Sequence, residues 1–233
     1  MNKDYILNLS MFSHELKSPL NNILNLAKLI ELNLGKQNEE MIKKYLSHII
    51  SQAIFMRNYI SNTIEFGKIQ SGKEELIIEE FDILESIYEI VELTKILIEN
   101  KPIEIRTEFA FDKYIVLSDS VKIKQILLNI SSNSVKFTKE GYIFFGLQEI
   151  NNNVLIRIQD TGRGIAEEEL SKILNHPYYL DISIYKNIWE SSGLGLFITN
   201  QLLKMLGGSI SIKSEYGKGT TVYISIPRRY KKS

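Results

Sequence analysis

The chain has 233 residues, 44% of them hydrophobic and 24% charged, with 28 basic and 28 acidic side chains and zero net charge, so one large or two small globular domains fit and nothing draws it in bulk to nucleic acid or an anionic membrane. It has no cysteine, which excludes disulfides, thiol nucleophiles and cysteine metal sites. No apolar run approaches the ~18 residues of a bilayer span, and Met1-Asn2-Lys3-Asp4-Tyr5 lacks the charged and apolar blocks of a signal peptide.

Two long helical patterns open the chain. In the first, Ile6, Leu9, Ser13, Leu16, Leu20, Ile23, Ala27, Ile30 and Leu34 recur at alternating spacings of three and four; in the second, Ile42, Leu46, Ile49, Ala53, Met56, Ile60 and Thr63 do so. That is the seam of a coiled coil or helix bundle. Gly35 is placed as a C-cap between the two. One such hairpin cannot enclose a bundle core, whereas two copies can, so the pattern predicts a homodimer built on a four-helix bundle. Pro19 removes a backbone donor and is expected to kink the first helix.

Ser71-Gly72-Lys73 ends this pattern. We divide the chain there, into residues 1–71 and 72–233. The second part reads as strands at Leu76–Ile78, Ile103–Phe109, Ile115–Leu117, Tyr142–Glu149, Val154–Gln159, Ser209–Lys213 and Thr221–Ile226, with helices at 82–100, 119–137 and 194–206. Asn151-Asn152-Asn153 reads as a hairpin turn. The basic end, Arg228-Arg229-Tyr230-Lys231-Lys232, reads as a solvated tail. The fold class is therefore α plus α+β: a helical hairpin, then an α/β sandwich with helices on one face of a mixed sheet.

Several constellations carry chemistry. His14, one of three histidines, lies in Ser13-His14-Glu15-Leu16-Lys17-Ser18-Pro19-Leu20. Ser13 and Leu16 fall on the seam, which turns His14 off it toward solvent. A largely unprotonated imidazole beside a carboxylate is a nucleophile with a base at hand. Ser18, one turn on, shares its face. Asn129, Asn133 and Lys136 are spaced i, i+4, i+7 and share a helix stripe; two amides and an ammonium suit hydrated Mg²⁺ and phosphate oxygens. Asp160-Thr161-Gly162-Arg163-Gly164 follows a strand, where a carboxylate can accept from an amino group and two glycines admit close backbone approach. Gly193-Leu194-Gly195 opens a helix whose N-terminus suits phosphate. The unpatterned stretch Tyr178 to Ser192 reads as a lid. Gly217-Lys218-Gly219-Thr220-Thr221 reads as a turn before a last strand. Each motif alone has a bland reading: a surface histidine, a polar helix face, a turn, a loop-to-helix junction, a hairpin.

Together and in this order, from about residue 5 to 227, they resemble the catalytic core of sensor histidine kinases. Residues 13–20 are similar to the phosphoacceptor box, 125–138 to the asparagine box, 160–165 and 193–196 to the two glycine boxes, and 217–221 to the final glycine turn. The resemblance implies a dimerisation and phosphotransfer domain followed by a Bergerat-type ATP-binding domain of the kind shared with gyrase and Hsp90. It implies that His14 is phosphorylated on Nε2 with Glu15 as base or orienter, and that Asn133 holds Mg²⁺ with Asn129 and Lys136 beside the metal and phosphates. It also implies that Asp160 recognises the adenine of ATP, with Thr220 through a water, that Gly162 and Gly164 shape the pocket, and that Gly193 and Gly195 let the loop close. The implied partners are a second copy of the chain and a response regulator receiver domain, with no nucleic acid. The implied setting is the cytoplasm, free or as part of a membrane-anchored sensor.

Four positions depart from the family pattern. Ser18 stands where threonine or asparagine orients water for phosphatase chemistry. Ser191-Ser192 replaces Gly-Thr, His176-Pro177-Tyr178-Tyr179 replaces a Glu-Pro-Phe-Tyr box, and Ser134 replaces alanine, a change expected to be tolerated. The altered lid motivates a second reading, a catalytically weak ATP-binding signalling scaffold. A gyrase-like ATPase lacks support, because Asn129 stands where such enzymes carry a water-activating carboxylate.

Overall fold

The computed structural model describes residues 3–34, 39–170 and 194–231, with side chains from residue 16 onward. Contacts divide the chain into two compact units, Met1–Ile60 and Ser61–Ser233. Helix α1 (Lys3–Asn33) runs unbroken through Pro19. Helix α2 (Glu39–Gln70) follows, with Glu39 and Glu40 in its first turn, where acidic groups complement the helix dipole. Within the first unit the expected seam is only partly covered. Ile23, Ile30, Ile42 and Ile49 are half-buried, while Leu20 and Leu46 are exposed.

The last ten residues of α2 fold with the second unit. Beyond them lie β1 (Glu79–Asp82), α3 (Ile83–Ile98), β2 (Ile103–Phe109), β3 (Ile115–Ser118), α4 (Ser120–Phe137), β4 (Gly141–Ile150), β5 (Asn153–Asp160), α5 (Leu194–Met205), β6 (Ser209–Glu215) and β7 (Gly219–Pro227). The main sheet has the order β2-β4-β5-β7-β6. Only β2 with β4 is parallel, as a crossover through α4 requires. Helices α3, α4 and α5 cover one face. Val154, Ile156 and Ile158 of β5 point into that layer and meet Ile126, Leu127, Ile198 and Leu202 in one core. Each fully buried side chain of this size stabilises by roughly 1.5–3 kcal/mol. The expected α/β sandwich with a mixed sheet is the architecture found.

Local chemistry sets the element ends. Asp82 caps α3, its Oδ1 accepting from Leu84 N at 3.0 Å. Asp119 caps α4, accepting from Lys122 N at 3.0 Å; such caps contribute about 1 kcal/mol each. The β4–β5 hairpin turns on Asn151 and Asn152, with φ of 51° and 61°, as a two-residue type I′ turn demands.

Two expectations fail. No strand forms at 76–78: the Ile77 N–H donates to Asp119 Oδ2 at 2.8 Å instead of a strand partner, and the first strand is β1, paired antiparallel with β3. The basic end is not a free tail through Tyr230. Leu117 N donates to Arg228 O at 2.9 Å, Tyr230 N donates to Leu117 O at 2.8 Å, and the Arg228 guanidinium lies over the Tyr114 ring at 4.9 Å.

Candidate functional site

Asp160 closes β5, where it pairs with Thr220 of β7. It is 7% exposed. Its Oδ1 accepts from Gly162 N at 2.9 Å and its Oδ2 from the Ser134 hydroxyl at 3.1 Å. Burial pushes its carboxyl above the usual range, and the hydrogen bonds from Gly162, Ser134 and the Thr220 backbone pull it back. Among the described residues this buried carboxylate is held by neutral donors and has no salt-bridge partner, an arrangement found at functional sites.

The loop after Asp160 is sewn down on both sides. Arg163 N donates to Phe137 O, the last residue of α4, at 3.1 Å, and Gly217 N donates to Arg163 O at 2.7 Å. A Cβ on Gly162 would lie 2.6 Å from Phe137 O, so the close approach this glycine permits is to the chain's own backbone. Gly164 sits at φ +67°, with Glu215 O where a Cβ would be. Ile165 N donates to Ser214 Oγ at 2.8 Å, and that hydroxyl lies 2.9 Å from Thr220 Oγ1. Thr220 thereby joins Asp160, Gly162 and Gly164 in one place.

On α4, Asn129 is buried, and its Nδ2 donates to Asn62 Oδ1 at 3.2 Å and to Gly195 O at 3.2 Å. Asn62 Nδ2 donates in return to Asn129 Oδ1 at 2.7 Å, and Gln125 Nε2 donates to Asn62 Oδ1 at 3.1 Å. Asn129 thus ties the tail of α2 and the first turn of α5 to α4. Asn133 and Lys136, one and two turns on, are half-buried, with the Lys136 ammonium 5.7 Å from the centre of the Phe137 ring. Among the described residues, a Cβ on Gly195 would meet ordinary contacts, the nearest 3.5 Å away at Asn129.

His14 and Glu15 lie within α1; their side chains are outside the described residues, as are Gly193, His176 and the 178–192 stretch. Ser18 is exposed on α1. Two site residues escaped the motif reading, and Ser134 was marked only as a departure expected to be tolerated. Asn62 had no pattern to mark it. Lys101, from the loop before β2, donates to Val135 O and to Thr138 O, capping the C-terminal end of α4.

Comparison with known proteins fits this geometry. Residues 8–72 match the family model of the His Kinase A (phospho-acceptor) domain. Residues 118–230 match that of the histidine kinase-, DNA gyrase B-, and HSP90-like ATPases. The chain belongs to the histidine kinases. It is 32% identical over 224 residues to the autoinducer 2 sensor kinase/phosphatase LuxQ of Vibrio cholerae, covering 94% of this chain and 26% of that protein. The kinase core here thus spans about a quarter of that relative's length. Full-length ShkA in complex with AMPPNP superposes with a TM-score of 0.63 at 24% identity, over 97% of this chain and 46% of that one. Histidine kinase ThkA in complex with response regulator protein TrrA gives 0.57 at 23% identity, over 94% of this chain and 60% of that one. These two likenesses show the fold. No helix among the described residues is long and apolar enough to cross a membrane.

Proposed function

We propose that this kinase core binds ATP at Asp160, phosphorylates His14 and passes the phosphoryl group to an aspartate of a response regulator receiver domain. The observation that carries the reading is the buried, neutrally held Asp160 carboxylate in the ATPase unit of a chain whose first domain presents His14 in a phosphoacceptor match. The Asp160 oxygens accept the adenine amino group, with Thr220 beside them. Asn133 and Lys136 face the phosphates. The Asn133 amide oxygen is a hard, neutral donor beside Lys136 on α4, and one such oxygen fits an ion shared with phosphate oxygens and water, as Mg²⁺ prefers. Asn133 would hold that ion, which supplies charge neutralisation at the phosphates when bound. Gly193 and Gly195 serve loop closure.

In the reaction, the His14 Nε2 lone pair forms the bond to the γ-phosphorus as its bond to the β–γ bridging oxygen breaks and ADP leaves. Glu15 holds or takes the proton at Nδ1. Lys136 meets the charge on the transferring group, since positioning and charge neutralisation dominate phosphoryl transfer. The phosphoramidate then gives its phosphoryl group to the regulator's carboxylate. Ser18 retains a hydroxyl that can orient water for the phosphatase step, in which water attacks the regulator's aspartyl phosphate and inorganic phosphate leaves. The half-covered seams of α1 and α2 are supplied by a second copy, making a four-helix bundle. We take residues 1–71 as the dimerisation and phosphotransfer domain and 72–233 as the ATP-binding domain, operating in the cytoplasm. Ser61 to Gln70 belong to the helix of the first while folding with the second.

Incubation with γ-labelled ATP and Mg²⁺ tests this. The wild type should take up acid-labile, alkali-stable label and His14→Gln none. Full labelling of His14→Gln would sink the assignment.

A further inference from the structure

Ser134 breaks the family's alanine pattern, and its hydroxyl has a defined use. Serines inside helices normally turn back to a carbonyl one turn earlier. Its neighbours do so: Ser131 Oγ donates to Leu128 O at 3.3 Å, and Ser132 Oγ to Asn129 O at 3.1 Å. Ser134, only 4% exposed, instead reaches across to the sheet and donates to Asp160 Oδ2 at 3.1 Å. Gly162 N holds the other oxygen at 2.9 Å. A carboxylate fastened at both oxygens cannot swivel. The two oxygens offer about four lone pairs, and the donors from Gly162 N, the Ser134 hydroxyl and the Thr220 backbone leave one of them for a ligand.

We propose that Ser134 is a positioning residue for the base: by fastening Asp160 Oδ2 it fixes the carboxylate plane in the orientation that receives the 6-amino group of adenine. The proposal rests on the reading of Asp160 as the adenine recogniser. Ser134 lies on α4 one residue beyond Asn133, so the same rigid helix that faces the phosphates also orients the base contact. With alanine at 134, the carboxylate keeps only its backbone donors, from Gly162 and Thr220, and is held less tightly about its Cβ–Cγ bond. Part of the free energy of nucleotide binding then goes into ordering it again. The loss is confined to ligands that use the 6-amino contact.

The test is an equilibrium titration of the whole chain with two probes, ADP and purine riboside 5′-diphosphate, which lacks the 6-amino group. Ser134→Ala should weaken ADP about threefold to tenfold, the size of one net hydrogen bond, and leave the purine analogue unchanged. Equal weakening of both probes would mean a merely structural serine, and unchanged ADP affinity would mean an idle one; either overturns the proposal. Asp160→Asn separates the two readings. If it weakens ADP while Ser134→Ala does not, only the positioning role falls. If Asp160→Asn binds ADP as the wild type does, the adenine reading falls and takes this proposal with it.

Discussion

Lys122→Met is the sharpest test of how the tail of α2 is held to the ATPase unit. The Lys122 ammonium donates to Glu65 Oε1 at 2.7 Å and Oε2 at 2.9 Å and also pairs with Glu74. The three side chains are 9%, 6% and 4% exposed. Two buried carboxylates share one buried ammonium, with the half-exposed Lys68 3.7 Å from Glu74. Methionine keeps the apolar stem and deletes the charge. Removing one partner of a buried ion pair costs about 3–5 kcal/mol, because the charge left behind is uncompensated. We expect a loss in that range near pH 8.

The pH dependence gives the test its edge. Burial pushes the Glu65 carboxyl above its ordinary value, and Glu74 adds to this while Lys122 and Lys68 pull back. Burial also works against the Lys122 charge, but the two carboxylates outweigh it and raise Lys122. The cluster as a whole holds protons tightly, as two acids sharing one base should. A carboxyl raised in the folded state contributes stability that is fully present below its unfolded pKa and is lost as pH rises through the folded value. Without Lys122 the folded value climbs further and that window widens upward. The variant's deficit should therefore be large near pH 8 and shrink toward pH 5. Urea unfolding of the whole chain, read by circular dichroism, measures it; the transition belonging to the ATPase unit is the one that ADP shifts. A deficit under about 1 kcal/mol near pH 8, the range of an exposed pair, or one that does not change with pH, would refute the reasoning.

Two further outcomes follow from the site. Gly164→Ala places a Cβ on Glu215 O at a residue with φ +67°, so the turn must shift. Strain of about 1–3 kcal/mol should lower the melting temperature and weaken ADP together, and an unaltered melting curve would contradict the packing described. Asn62→Ala deprives Asn129 Oδ1 of its 2.7 Å donor, leaving a buried amide short at a cost of about 1–3 kcal/mol. In a cycle with Asn129→Ala the two losses should be non-additive by at least about 0.5 kcal/mol, and additivity would mean that the pair does not act as a unit.

Periodic elements were readable from the residues alone, and single side-chain contacts were not. The alternation Val154, Ile156, Ile158 defines β5 because its faces differ, one buried against α4 and one not. The Asn151-Asn152 turn is legible because positive φ is a residue-level preference. The segment 76–78 misleads because Leu76-Ile77-Ile78 has strand composition, while its backbone is claimed by the Asp119 carboxylate 42 residues away; no local pattern encodes that. Ser134 looked neutral for the same reason. Its partner lies on another element, and only the packing of α4 on β5 brings the two together. The glycines divide likewise. Gly164 is explained by its own backbone angle, whereas Gly162 is explained by Phe137 O, which sequence spacing does not locate.

Helix α4 makes one rigid body out of contacts that the motifs scatter. Successive residues on a helix are rotated by about 100°, so Ser134 turns to the sheet and Asp160 when Asn133, the residue before it, turns away from them. Asn129, a turn earlier on the Asn133 side, is spent on Asn62 and Gly195, and Lys101 closes the far end at Val135 and Thr138. On the proposed function, the group that orients the base contact and the groups that face the phosphates are spaced by the rise of a helix anchored at both ends. In phosphoryl transfer misplacement by about 1 Å can cost a hundredfold in rate, so on the same reading this anchoring governs where the γ-phosphorus lies. On that reading the residues that fasten α4 serve nucleotide binding without contacting the phosphates, and their substitution should show in nucleotide affinity as well as in stability.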